Sequence, residues 1–84
     1  MSKKNDYNET KTLILKYLSQ VRFDTGSTMA EKLNLSLGAV DMCLRRLRSR
    51  GLVSRPKGIY PLRYSITTGG LARLQYYERL DVNR

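Results

Sequence analysis

The segment between Ser36 and Gly51 constrains the fold of this chain more than any other, because both of its ends and its buried face are marked. Ser36 is a favourable N-cap, and glycine is the residue type that most often follows the end of a helix. Between them, the apolar residues recur with the 3, 1, 3 spacing of a single helix face. They are Val40, Cys43, Leu44 and Leu47. The segment therefore predicts an amphipathic helix that runs to about Arg50.

Two further helices are predicted ahead of this segment. A helix from about Asn8 carries an apolar stripe, and the residues from Gln20 to Asp24 then favour a short strand. The stripe consists of Leu13, Ile14, Tyr17 and Leu18. Thr28 and Glu31 have the spacing of a capping box, so the second helix is predicted to begin at Thr28. It is expected to end near Asn34, because asparagine tolerates the left-handed conformation.

After Gly51 the pattern changes from helix to strand. Residues 52–55 and 62–66 favour extended structure on either side of a turn-forming segment with two prolines, which predicts a β-hairpin. A last helix is predicted over residues 68–82, with Thr67 or Thr68 as its N-cap.

The 84 residues suffice for one domain with one hydrophobic core, spanning residues 1–84. The predicted core consists of Leu13, Ile14, Leu18, Ala30, Leu33, Leu35, Val40, Cys43, Leu44 and Leu47. We therefore expect a mainly α-helical, α+β fold in the order helix, short strand, helix, helix, β-hairpin, helix. Residues 1–7 are polar and are expected to be flexible.

The charge of the chain favours an anionic partner. Its 16 Lys and Arg outnumber its 7 Asp and Glu, which gives a formal net charge of +9 and favours nucleic acid or an acidic membrane surface. No acidic residue occurs from Met42 to Tyr77. The basic residues of that stretch are Arg45, Arg46, Arg48, Arg50, Arg55, Lys57, Arg63 and Arg73. The stretch is either an anion-binding surface or a solvated basic face.

The residues for catalysis or metal binding are few. The chain has no histidine, so the commonest general base and the commonest metal ligand are both missing. Cys43 is its only cysteine, and a buried small thiol is favoured over a redox sensor or an intersubunit disulfide. We therefore expect no enzyme activity, no cofactor and no metal. With no apolar run of membrane-spanning length and no signal peptide, a cytoplasmic, nucleoid-associated location is expected.

A more specific pattern runs from Met29 to Val53. It contains Ala30, Ser36 and, at its end, Gly51-Leu52-Val53, and residues 64–71 follow the predicted hairpin. In this pattern the chain resembles the winged helix-turn-helix regulators of the MarR, PadR and related families. The resemblance implies that Ala30 packs where two helices cross, that Ser36 caps the second helix, and that Gly-Leu-Val leads into the hairpin.

The resemblance covers about residues 10–75, and it departs at Asn34, where those families most often have glycine. Because the pattern is widely shared, it assigns no subfamily. It implies a homodimeric transcription regulator, such as a repressor, that binds double-stranded DNA without crossing a membrane. No small-molecule effector is assigned.

The resemblance also implies that the helix after Ser36 enters the major groove. The residues expected to face DNA there are Ser36, Leu37, Gly38, Asp41, Met42, Arg45, Arg46 and Ser49. Arg45 is the expected guanine contact, since its fork matches O6 and N7, and Asp41 either accepts from cytosine N4 or orients Arg45. The hairpin would carry Arg55, Lys57 and Arg63 to a minor groove or the backbone.

The last helix carries more large apolar residues than packing on one core requires. Its predicted dimer-interface residues are Leu71, Leu74, Tyr77 and Leu80. A two-fold dimer would read a pseudo-palindromic site. The alternative is a helix that closes only its own domain.

Two other functions stay open besides sequence-specific regulation. One is a DNA-binding role in partition, replication or genome architecture of a plasmid or virus, for which weak sequence preference and cooperative coating would speak. The other is a protein-interaction module, which would be insensitive to neutralisation of Arg45, Arg55 and Arg63.

Overall fold

The computed structural model describes residues 7–82 of the chain. Within that range the elements are α1 Tyr7–Gln20, α2 Gly26–Leu33, α3 Leu37–Ser49, β1 Val53–Ser54, β2 Ser65–Ile66 and α4 Thr68–Val82. The two strands form an antiparallel hairpin, so the predicted mainly helical fold with a small hairpin is confirmed. The expected flexibility of residues 1–7 falls outside the described residues, except for Tyr7, which begins α1.

The start of α2 differs from the prediction. The N-cap is Thr25, whose side-chain oxygen accepts a hydrogen bond of 3.2 Å from the backbone N–H of Thr28. The predicted capping box at Thr28 and Glu31 is therefore wrong, because both residues already lie inside the helix. The predicted end is confirmed, since Asn34 adopts the left-handed conformation with φ 58°.

Both ends of α3 agree with the sequence pattern. The Ser36 hydroxyl accepts from the backbone N–H of Ala39 at 3.1 Å, which satisfies one of the free amides at the start of the helix. Arg50 is the C-cap, and Gly51 then has φ +76°, a conformation that glycine adopts without steric cost. The recognition helix of the predicted motif is thus bounded by its own local sequence.

The hairpin, called the wing from here on (residues 53–66), has a shorter ladder than predicted. Its paired residues are Val53 with Ile66 and Ser54 with Ser65. The strand expected over residues 20–24 is a single bridge, in which Asp24 and Tyr64 exchange backbone hydrogen bonds of 3.0 and 2.8 Å. The Tyr17 hydroxyl of α1 donates to the Asp24 carboxylate. This connection ties one strand of the wing to the segment between α1 and α2.

The core lies among the helices and β1. Its buried apolar residues are Ile14, Leu15, Leu18, Met29, Ala30, Val40, Cys43, Leu44, Leu47, Leu52, Val53 and Leu74. Leu33 and Leu35 pack against it while partly exposed. The prediction that Leu13 belongs to the core is wrong: it is 38% exposed, whereas Leu15 is fully buried. Successive residues of a helix differ by about 100°, and the other elements cover the flank of Ile14 on which Leu15 lies.

The start of α4 packs directly against the base of the wing. Thr67 is the predicted cap: its hydroxyl accepts from the Gly70 N–H at 3.0 Å and donates to the Gly51 carbonyl at 2.7 Å. The Thr67 N–H donates to the Leu52 carbonyl at 3.1 Å. A Cβ at Gly70 would lie 2.1 Å from that same Leu52 oxygen, so only glycine fits there. α4 therefore fixes the angle at which the wing leaves α3.

Candidate nucleic-acid interface

The outward face of α3 follows from its buried face. Because Val40, Cys43, Leu44 and Leu47 are inside, the opposite side of the helix is exposed. The exposed predicted residues of this helix and its cap are Ser36, Leu37, Gly38, Asp41, Met42, Arg45, Arg46 and Ser49. Leu37 and Met42 leave about half of their surface in solvent, 49% and 50%. Large apolar side chains thus stand beside cations on a surface that faces away from the core.

A cleft of about 230 Å³ separates α3 from the wing. Its walls are Asp41, Arg45 and Arg48 from α3, and Arg55, Leu62 and Tyr64 from the wing. Of the residues predicted from sequence, this brings together Asp41, Arg45 and Arg55. Arg55 is partly buried, and its Nε has no hydrogen-bond partner while being shielded from solvent. Three guanidinium groups and one carboxylate therefore line one open space.

Arg48, Leu62 and Tyr64 line the cleft but were not in the sequence-based site, and Arg48 is the charged one of the three. It lies three residues after Arg45 and seven after Asp41, so the three share one side of α3. Helical spacing alone could have grouped them. Helical spacing does not predict that this side of α3 faces the wing, because that depends on how the hairpin folds back.

Asp41 is held close to the start of α2. A Cβ at Gly26 would lie 3.1 Å from the Asp41 Oδ1 atom and 3.6 Å from Leu44, so the absence of a side chain at Gly26 lets the two helices approach. A carboxylate beside the first turn of a helix is favoured by the partial positive charge there. Asp41 therefore contributes to the crossing of α2 and α3 as well as to the wall of the cleft.

The other two predicted wing cations lie outside the cleft. The Arg63 guanidinium stacks over the ring of Phe23, 4.9 Å from its centre, which ties this part of the wing to the segment before α2. Lys57 is exposed, next to Gly58, whose φ of +77° makes the turn. Tyr60 is 80% exposed near the same turn. The tip of the wing therefore presents Lys57 to solvent, whereas Arg63 is partly buried.

The surface of α4 differs from the predicted dimer interface at one residue. Leu74 is only 5% exposed and belongs to the core of its own domain, so its side chain is not available to a second copy. Tyr77 is partly buried, with the Lys11 ammonium 4.4 Å from its ring centre. The exposed large apolar residues of the helix are Leu71, Tyr76 and Leu80, at 41%, 47% and 49%.

The described part of the chain has few other groups that could react or bind a metal ion. Burial raises the pKa of the Cys43 thiol from 9.0 to about 11, against the opposing charges of Lys11 and Arg46. Over residues 7–82, no group of three or more His, Cys, Asp or Glu is placed to hold a metal ion. In that same range, every helix is too short or too polar to span a bilayer.

These features define a winged helix-turn-helix fold in which α3 and the wing both carry cations. No protein-family model matches the chain, and no curated protein matches it in sequence. Solved structures do match. The oxidised form of MarR from E. coli has a TM-score of 0.75 at 25% identity, over 86% of this chain and 53% of that one.

Two further solved structures show the same likeness. A mutant of ZitR from Lactococcus lactis in complex with DNA has a TM-score of 0.72 at 21% identity, covering 94% of this chain and 57% of its own. YusO from Bacillus subtilis has a TM-score of 0.72 at 20% identity, covering 79% and 49%. This chain thus spans about half the length of these structures.

MarR itself and a MarR family transcription regulator are among the matching structures, so the predicted resemblance to these winged-helix proteins is confirmed in the fold.

Proposed function

We propose that this chain binds double-stranded DNA at specific sequences and regulates transcription, with α3 in the major groove and the wing on the minor groove or the backbone. The observation that most supports this proposal is that Arg45 and Arg48 of α3 and Arg55 of the wing line the same cleft. Like charges gathered in this way repel one another in the free protein, and a polyanion relieves that repulsion. The DNA complex of the structurally similar ZitR supports the same kind of partner.

The proposed base contacts come from the exposed face of α3, from Leu37 at its start to Arg45 beyond its middle. Leu37 and Met42 offer half-exposed apolar surface to thymine methyl groups, and Arg45 offers two parallel donors to guanine. A Cβ at Gly38 would have no neighbour within 4 Å, so this part of the backbone is open to close approach by DNA. Arg46 and Ser49 are exposed at the flank and end of α3, where phosphate contacts set the register.

The proposed contacts of the wing differ among its three cations. Lys57 reaches solvent at the tip and suits a phosphate or the minor groove, while Arg55 faces the cleft. Arg63 holds the wing through Phe23, so its contribution to DNA binding is through orientation of the hairpin.

We propose a homodimer formed through α4. Tyr76 and Leu80 are four residues apart and share one flank of the helix, while Leu71 lies on another, and all three are more than two-fifths exposed. Tyr77 borders this surface, and Leu74 is withdrawn from it because it is buried. A second copy would cover apolar surface and double the number of base pairs read.

Selection of bound fragments from a random duplex library, followed by footprinting, tests the function. We expect one protected site with two half-sites about one helical turn, roughly 10 base pairs, apart. Uniform coating without a preferred sequence would contradict regulation and indicate an architectural, partition or replication role. Absence of duplex binding would indicate a protein-interaction module. The activity of such a module should not change when Arg45, Arg55 and Arg63 are neutralised.

A further inference from the structure

The cleft between α3 and the wing has the size and charge to hold a phosphate group. Its volume of about 230 Å³ is several times the roughly 30 Å³ that one water molecule takes up in the liquid. Three guanidinium groups against the single carboxylate of Asp41 leave the walls with a formal charge of +2. An anion, rather than a neutral or cationic group, is the favoured occupant.

We propose that this cleft clamps one phosphate of the DNA backbone, chiefly through Arg48 on α3 and Arg55 on the wing. The proposal rests on the DNA-binding function above. Arg55 carries the more telling observation, because its Nε is shielded from solvent and has no hydrogen-bond partner. A shielded N–H without an acceptor is unfavourable, so a phosphate that draws the Arg55 guanidinium further into the cleft would also bring this donor to an acceptor.

The path of the DNA strand explains why a phosphate would arrive there. The sugar–phosphate backbone is the ridge between the major and the minor groove. If α3 lies in the major groove and the wing reaches the adjacent minor groove, that ridge must pass between them, along the cleft. The walls of the cleft come from these two elements.

The clamp gives Arg45 and Arg48, two arginines of α3, different roles in DNA binding. Both arginines line the cleft, and Arg45 comes about one turn before Arg48. Of the two, Arg45 is therefore the closer to the start of the helix, where base edges are read. Contacts to phosphate fix the register of the helix without reading sequence. The clamp therefore sets the depth and angle at which Arg45 meets a base, and it joins the wing to α3 when DNA binds.

A scan of the selected binding site with methylphosphonate linkages, which remove the charge of one phosphate at a time, tests the clamp. For the wild type we expect at least one position in each half-site where the replacement weakens binding about tenfold. In Arg48→Met and Arg55→Met, that same replacement should cost less than about twofold, because the partner of the phosphate is already lost.

Arg50→Met is the matched control. Arg50 is an exposed arginine at the C-cap of α3 and is not part of the cleft wall, so this variant should keep the tenfold sensitivity at the same position. Arg48 is exposed as well, so Arg48→Met is expected to stay folded. At the partly buried Arg55, a further variant, Arg55→Lys, keeps the positive charge but lacks the guanidinium fork. We expect Arg55→Lys to restore only part of the sensitivity.

The outcomes separate the two proposals. If the wild type finds a specific site but Arg48→Met and Arg55→Met keep the full tenfold sensitivity at every phosphate, the clamp is wrong and the DNA-binding function stands. If the wild type selects no sequence and binds no duplex, the proposed function is wrong and the clamp falls with it. Loss of sensitivity in Arg50→Met equal to that in Arg48→Met would also contradict the clamp.

Discussion

Replacement of Gly70 by alanine should destabilise the fold far more than the same change at the adjacent Gly69. A Cβ at Gly70 would lie 2.1 Å from the Leu52 carbonyl oxygen and 2.6 Å from the Ile66 side chain. At Gly69 the nearest atoms are 3.6 Å away, which is ordinary van der Waals contact. Both glycines are in the first turn of α4, so the pair isolates the close approach of α4 to the Leu52 backbone just before β1.

The magnitude follows from two opposing effects. Overpacking costs about 1–3 kcal/mol, and a clash with backbone rather than a flexible side chain places Gly70→Ala at about 3 kcal/mol. Alanine in a helix gains about 0.5–1 kcal/mol over glycine, which leaves a net loss of about 2 kcal/mol. For a domain of this size each kcal/mol shifts the Tm by about 4–8 °C, so the Tm should fall by about 8–16 °C. Gly69→Ala should leave it unchanged or raise it by a few degrees.

Thermal unfolding followed by far-UV circular dichroism, with urea unfolding as a second measurement, checks this difference. The two variants should differ in the free energy of unfolding by about 2–3 kcal/mol. Equal stability of the two would refute the reasoning, because it would mean that α4 does not approach the Leu52 backbone as closely as described.

Four further outcomes are expected. Burial raises the pKa of the Cys43 thiol from 9.0 to about 11, so as the pH rises the thiol ionises in the unfolded chain before it does so in the folded chain. The free energy of unfolding should therefore fall by up to about 2–3 kcal/mol between pH 9 and pH 11. Urea unfolding from pH 8 to 11 should show this loss as a difference in slope between the wild type and Cys43→Ala. DNA affinity should fall about a thousandfold between 50 and 200 mM salt, for roughly six or more phosphate contacts per dimer, and a flat response in fluorescence anisotropy would contradict the electrostatic argument. Arg45→Ala should relax specificity at one base pair by about 1–3 kcal/mol, whereas Lys57→Ala should weaken all duplexes alike; equal losses on specific and random duplexes in both variants would refute this division. Tyr76→Glu with Leu80→Glu should give a folded monomer in sedimentation equilibrium, and a wild type that is monomeric at micromolar concentration would exclude the dimer.

The charged residues of α3 and the wing show how far the site could be predicted from the sequence. Helical spacing placed Asp41 and Arg45 on the outside of α3, and both line the cleft. The sequence grouped Arg63 with the DNA contacts because of its charge, but the structure stacks it on Phe23, a residue 40 positions earlier in the chain. Such a contact depends on how the wing folds back on the α1–α2 connection. Sequence spacing carries no information about it.

The sequence by itself determined the elements whose signals are local. The N-cap of Ser36, the left-handed Asn34 and the positive φ of Gly51 depend on side chains within a few residues, and those features were all predictable. The buried face of α3 was predictable as well, because its apolar residues form one continuous stripe.

Only the tertiary structure decided which flank of a less regular helix is covered. It buries Leu15 instead of Leu13 in α1, and it draws Leu74 into the core instead of leaving it for a partner. The physical reason is the same in each case: an apolar pattern marks which side chains prefer burial, but the neighbouring elements, packed without voids, determine which of them obtain it.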